Sequence, residues 1–277
     1  MIFELNEIDE IIKLKEKHKK VEEILNSRSD NREYFRNISQ QLSVDFESLN
    51  ECIDSYEFSL LISCYTISEQ LLKNFIYHIL EKDGNSNEYI DLFINKKIDP
   101  EKFSPSVLTN KIKEQIEVFC ANYKLIISED HEDFRIYNNM IKARHQYAHA
   151  NHYPFEFQNY TICIRVIEYL SFEYRIFIDN KELRLKIQND IFDIKKSMEK
   201  VIKWKKIEFR NPKVKRYRDD CKLFVNNYKK YLEHIPLVED ILLEVEKFSK
   251  IDLRRKDEQE YMTASRDVFR KLTAQVL

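Results

Sequence analysis

A single glycine, Gly84, stands in 277 residues, and this constrains the fold more than any other feature of the chain. Glycine supplies the positive backbone angles of tight turns and the bare backbone that lets a chain approach phosphate. Walker-type and Rossmann-type loops need several glycines at fixed offsets, so both are excluded. A turn-rich β-sandwich is excluded on the same ground. What remains is helices joined by polar loops, and the expected fold class is all-α. The chain is 43% hydrophobic, enough for a real core, and its five prolines supply the other breakers.

Apolar residues at helical spacing then predict the elements. Residues 3–26 read as an amphipathic helix with Ile8, Ile11, Ile12, Leu14, Val21 and Leu25 on its apolar face. Ser27 to Asn31 reads as a polar break, followed by a second helical pattern over 32–51. Tyr56 to Lys82 is apolar nearly all round, as a central helix is, and Asp83-Gly84-Asn85 ends it. Residues 86–130 read as an irregular insertion with Pro100 and Pro105 inside it, and Ser104-Pro105 as a helix start. Glu132 to Ala148 predicts a helix closing near His149-Ala150-Asn151, with Pro154 as the next breaker. A long apolar helix follows over 158–180. Beyond Asp179-Asn180 the composition turns to lysine, with helices at about 181–208, 217–233, 237–249 and 257–275 and joints at Asn211-Pro212 and Pro236. The expected organisation is an N-terminal helix (1–31), a helical domain (32–180, with its insertion at about 86–130) and a basic helical C-terminal domain (181–277).

The net charge of −2 is unevenly spread: −3 over 1–50, −7 over 51–180 and +8 over 181–277. Between Lys195 and Arg218 lie 11 Lys or Arg against Glu199 and Glu208. Such a segment neutralises phosphates. Lys195, Lys196, Lys203, Lys205, Lys206, Arg210, Lys213, Lys215, Arg216 and Arg218 are therefore the RNA-binding candidates, with Trp204 and Tyr217 among them. The other reading of this run is a solvated helix face. No apolar run reaches the 18 or more residues of a membrane span, and the N-terminus lacks the signal-peptide pattern. The five cysteines (Cys52, Cys64, Cys120, Cys163, Cys221) are odd in number, widely spaced and free of Cys-x-x-Cys. That fits a cytoplasmic protein without disulfides or a zinc site.

Four of the seven histidines, His131, His145, His149 and His152, lie in one short window. His145 and His149 have the i, i+4 spacing of a zinc pair, but Gln146 stands where a zinc enzyme carries its Glu, and no Cys is near. No metal or other cofactor is expected. The pair Arg144 and His149 suits different chemistry. Arginine is a permanent positive fork for phosphate oxygens. Histidine, with an ordinary pKa of about 6.5, moves protons near neutrality. RNA carries its own nucleophile in the 2′-hydroxyl, so its cleavage needs charge stabilisation and proton transfer alone. Five helical steps of about 100° set these two residues roughly 140° apart, so a second subunit is one way to complete each site.

Arg144-His145-x-x-Ala148-His149, at the close of a helix in an all-helical chain, resembles the HEPN superfamily. The motif of that family is Arg, four to six residues, then His, often with Asn, Asp or His directly after the Arg. The helix bearing Ser68-Glu69-Gln70-Leu71-Leu72-Lys73 is similar to the family's first core helix, which often turns one acid towards the site. Phe155 to Ile178 is similar to its closing helix. The resemblance spans about 40–180 and leaves out 86–130 and 181–277. It implies a four- to five-helix bundle that dimerises, bringing two Arg/His pairs into one cleft. Many members are ribonucleases of toxin–antitoxin, abortive-infection and CRISPR-linked defence. Arg144 would then grip or polarise the scissile phosphate and His149 would act as acid, base or both, leaving a 2′,3′-cyclic phosphate. His145, Glu69, Tyr147, Asn151 and His152 would be supporting residues.

Each of these residues also has a structural reading. His149 can cap its helix, Arg144 can pair with a carboxylate, and Tyr147 can pack rather than stack on a base. Asn151 and His152 can be plain turn residues. A lone acid is costly to bury, so Glu69 is expected to have a partner, with Arg144 or a histidine the foremost candidate. Three functions stay open. The leading one is a metal-independent endoribonuclease, acting as a toxin or anti-phage effector, with RNA, a second copy and an antitoxin or defence partner as its contacts. The second is a non-catalytic HEPN interaction or sensor module. The third is a helical nucleic-acid-binding protein.

Overall fold

The computed structural model describes residues 7–82, 103–117, 124–128, 130–150, 155–203 and 207–250, with 263, 266, 267, 269 and 270 beyond them. Every regular element among the described residues is an α-helix, as the glycine-poor sequence requires. In chain order these are α1 (Glu7–Asp30), α2 (Arg32–Leu42), α3 (Phe46–Lys82), α4 (Thr109–Glu117), α5 (Glu132–Ala150), α6 (Asn159–Asp179), α7 (Lys181–Lys203), α8 (Ile207–Leu232) and α9 (Val238–Ser249). The helix expected at 257–275 falls almost wholly outside the described residues, as do Gly84, Pro100 and Pro154.

Several boundaries differ from the sequence expectation, each for a local reason. The polar stretch after Leu25 does not end α1, because Arg28 reaches an ion pair with Asp54 of α3 and only Asn31 interrupts the helical run. The pattern over 32–51 is cut at Ser43–Asp45. Ser43 takes left-handed angles (φ 53°, ψ 36°), and the Val44 N–H returns to the Ser39 carbonyl at 3.0 Å. Asp45 then starts α3: one carboxylate oxygen accepts the Ser48 N–H at 2.8 Å and the other its hydroxyl at 2.6 Å. Ser104-Pro105 does not open α4. Its first turn forms at Thr109, whose N–H is accepted by the Asn138 side chain at 3.1 Å, while Asn138 donates to the Thr109 hydroxyl at 2.9 Å. Pro212 is not a joint but lies inside α8, near its start, where a missing N–H costs one bond and leaves the longer run intact. Before α9 the chain bends at Leu237 (φ 68°, ψ −46°), closed by a 2.8 Å bond from the Val238 N–H to the Pro236 carbonyl.

In a chain this poor in glycine, Ser43 occupies a position where glycine avoids a Cβ clash. Left-handed angles cost a β-carbon residue about 1–2 kcal/mol, and glycine gives back part of that as chain entropy. Ser43→Gly is therefore expected to stabilise the protein by about 0.5–1 kcal/mol, read as a higher urea midpoint at unchanged slope. A lower midpoint would contradict the strain assigned here.

The chain forms two compact units. One holds Met1–Ile112 with Arg135–Ile167, the other Lys113–Phe134 with Glu168–Leu277. In the first unit α3 supplies a buried stripe of Leu60, Leu61, Cys64, Leu71, Leu72, Phe75 and Ile76, while Ile62 on its other side is 49% exposed. Leu14 and Val21 of α1 are buried, and Lys17 donates to the Ser59 carbonyl (2.9 Å) and the Ser63 hydroxyl (2.7 Å) of α3. Burial pushes the Lys17 pKa down. His18 stacks on Phe157 at 5.1 Å, and burial lowers its pKa too. The segment expected to stand apart as an N-terminal helix is thus packed inside this unit.

In the second unit α7, α8 and α9 pack through Ile187, Ile191, Ile194 and Met198, then Cys221, Phe224 and Tyr228, then Ile241, Leu242 and Phe248, all buried. Two fully buried charges sit beside them. Arg184 (1% exposed) pairs with Glu173 (0% exposed), its Nε donating at 2.7 Å. Arg184 also donates to the Lys124 carbonyl. The Tyr169 hydroxyl donates to Glu173 at 3.2 Å and accepts the Ile127 N–H at 3.0 Å. This network anchors residues 124–128, a stretch without regular structure.

Candidate functional site

The Arg/His motif rides on α5. Glu132 and Asp133 in its first turn and His149 in its last complement the helix dipole. The Nδ1 of His131 accepts the Asp133 N–H at 3.1 Å, so His131 works as a cap. Phe134, Tyr137, Met140 and Ile141 give the buried stripe. From Arg144 onward burial is lost: Arg144 and Tyr147 are half-buried, and His145, Gln146, Ala148 and His149 are exposed.

Within the first unit this exposed end of α5 is built against α3. The Arg144 guanidinium lies 4.4 Å over the ring of Tyr65, a cation–π contact. The His145 ring meets Tyr65 edge-on at 6.0 Å and 77°. Partial burial, then the positive fields of Arg144 and His149, push the His145 pKa down, which favours the neutral imidazole. Tyr147 packs on Phe58 at 4.6 Å, the packing role rather than a free stacking face.

Among the described residues Glu69 meets neither Arg144 nor a histidine. Its carboxylate pairs with Lys73 at 3.2 Å, one turn along α3. Glu four residues before Lys is the favourable order on a helix, so the local partner wins. Because α5 runs unbroken to Ala150, Arg144 and His149 are turned about 140° from each other about its axis. Asn151 and His152 lie outside the described residues. What sequence reasoning missed is Tyr65, the ring that holds both Arg144 and His145. An aromatic in an apolar helix reads as core, and at 8% exposure it largely is core.

The basic segment is less uniform than its composition. Lys195, Lys213 and Arg218 are half-buried, and Lys196, Lys215 and Arg216 are exposed. The side chains of Lys203, Trp204, Lys205, Lys206 and Arg210 lie outside the described residues. Tyr217 is not available to a base: it is 1% exposed and packs on Phe248 at 4.5 Å. A groove between α7 and α8 holds Lys196, Lys200 and Arg216, and with them Asp190, Asp193 and Asp220. The acids flanking the basic run thus enter the same surface.

Among the described residues, no three His, Cys, Asp or Glu side chains gather as a metal ion requires, and no helix is long and apolar enough to cross a membrane. No family model, curated protein or solved structure matches the chain.

Proposed function

We propose that this chain is a HEPN-type, metal-independent endoribonuclease that cuts RNA by attack of the 2′-hydroxyl on the adjacent phosphate. The observation that carries the reading is the exposed end of α5. A permanent cation, Arg144, and two histidines, His145 and His149, are grouped there, and partial burial together with the neighbouring positive charges lowers the His145 pKa. In the reaction Arg144 bears on the phosphate oxygens, where negative charge grows in the transition state. His149 passes the proton between the 2′-hydroxyl and the leaving 5′-oxygen, with His145 beside it as a neutral acceptor. Since Arg144 and His149 do not share a helix face, the complete site belongs to a homodimer that sets one Arg/His pair against another. The basic stretch 195–218 binds substrate or a partner. A toxin or anti-phage effector, restrained by an antitoxin or defence partner, is the setting the resemblance suggests.

One observation favours a second reading. Arg144 is half-buried on Tyr65, the posture of a structural arginine. That posture suits a non-catalytic module of the same type, acting as an interaction domain or sensor.

The test is chemical. In excess EDTA, a single-stranded RNA is expected to be cut to products ending in 2′,3′-cyclic phosphate, and the same sequence with 2′-O-methyl groups throughout is expected to stay intact. No cutting of either strand, or equal cutting of both, contradicts the proposal.

A further inference from the structure

The groove between α7 and α8 in the second unit has about 340 Å³ of space, at the lower end of the range for small-molecule sites. Its charges are balanced in number but not mutually satisfied. Lys196, Lys200 and Arg216 line it, and none of the three forms an ion pair or hydrogen bond among the described residues. Asp190 accepts the Tyr228 hydroxyl at 2.6 Å, which fixes it in the wall. Among the described residues Asp193 and Asp220 accept no such hydrogen bond, and Arg216 is the cation that acts on Asp220. Burial pushes the Asp220 pKa up, Arg216 pulls it part of the way back, and Asp219 and Asp193 push it up again.

The helices place these charges in order. The Tyr228 hydroxyl of α8 reaches Asp190 of α7, while Arg216, earlier in α8, lines the same groove as Lys200, later in α7, so the two helices run antiparallel. Lys196 and Lys200 near the end of α7, and Arg216 near the start of α8, therefore belong to the same end of the groove. Asp190 and Asp193 lie towards the other end, where Asp190 meets Tyr228. A ligand that satisfies this arrangement carries one compact anion at one end and hydrogen-bond donors at the other. Within the groove a long polyanion does not, because its further phosphates would meet carboxylates, so RNA held by the 195–218 run would lie outside it. A bare anion does not, because it leaves Asp193 and Asp220 without donors.

We propose that this groove binds a pentose phosphate unit, free or as part of a mononucleotide, with the phosphate on Lys196, Lys200 and Arg216 and the sugar hydroxyls on Asp193 and Asp220. The site is independent of Arg144 and His149, and its test reads binding rather than cleavage. Isothermal titration of the full chain would use ribose 5-phosphate, AMP, CMP and inorganic phosphate as probes, at fixed low salt. Ribose 5-phosphate or the nucleotides are expected to saturate at least tenfold more tightly than inorganic phosphate. Equal affinity for ribose 5-phosphate and AMP assigns the site to a sugar phosphate, and a clear preference for AMP or CMP assigns it to a nucleotide. Lys200→Ala and Arg216→Ala alter exposed side chains and are expected to weaken binding at least tenfold without changing the melting temperature. Asp193→Asn is expected to weaken the sugar-bearing probes and leave inorganic phosphate unaffected or improved. The proposal is overturned if no probe saturates at millimolar concentration, if inorganic phosphate binds as well as the sugar phosphates, or if the two cation variants bind like the wild type.

Discussion

Arg184→Met is expected to destabilise the protein by about 3–5 kcal/mol, the loss typical of breaking a buried ion pair from one side. Arg184 and Glu173 are 1% and 0% exposed, so neither charge has water to fall back on. Arg184 reaches both the Glu173 carboxylate and the Lys124 carbonyl. Methionine fills much of the same space but takes the guanidinium away from the carboxylate, which the Tyr169 hydroxyl still reaches at 3.2 Å. The double variant Glu173→Leu/Arg184→Met is expected to recover most of the loss, because replacing both charges removes the uncompensated one. Urea unfolding followed by circular dichroism checks both. A loss below about 1 kcal/mol in the single variant, or a double variant no better than the single, would contradict the account.

Arg144→Ala carries the second large effect, on rate. Removing one group that stabilises charge in the transition state typically costs about 10²–10³-fold, and that range is expected in the cleavage rate constant. Arg144→Lys keeps the charge but loses the planar fork and the stacking on Tyr65, so only partial activity is expected. Stability separates this from a structural role. A cation–π contact is worth about 0.5–1 kcal/mol when exposed and about 2 kcal/mol when desolvated, so losing this half-buried one should leave the alanine variant folded at ordinary temperature. If Arg144 only holds α5 against Tyr65, that small stability loss is the whole effect and cleavage is untouched. Single-turnover kinetics beside thermal unfolding distinguishes the two outcomes.

The helical class could be read from the sequence because it follows from what the chain lacks, and the apolar periodicity placed α5, α6 and α9 close to their observed spans but began α3 ten residues late. What escaped depends on contacts between distant residues. Arg28 prolongs α1 by pairing with Asp54, and Asn138 fixes the start of α4 by bonding Thr109. Neither pairing leaves a mark on local spacing. Glu69 illustrates the opposite error: a long-range partner was expected where Lys73, four residues on, already satisfied it. At the candidate site, Arg144, His145 and His149 were legible as residue types at helical spacing, but the Tyr65 ring beneath them read as core. The Glu173–Arg184 pair was hidden because an acid in an apolar helix and an arginine in a polar one look unrelated until folding joins them. The groove of α7 and α8 was half legible, since its cations stood out as a run while Asp190, Asp193 and Asp220 lay just outside it.

The most direct test is cleavage of total cellular RNA in excess EDTA by the wild type, Arg144→Ala and His149→Ala, all verified as folded. The account predicts that the wild type cuts and that both variants fail by at least a hundredfold. If all three cut equally, or none cuts, Arg144 and His149 do not form the active site of a metal-independent ribonuclease.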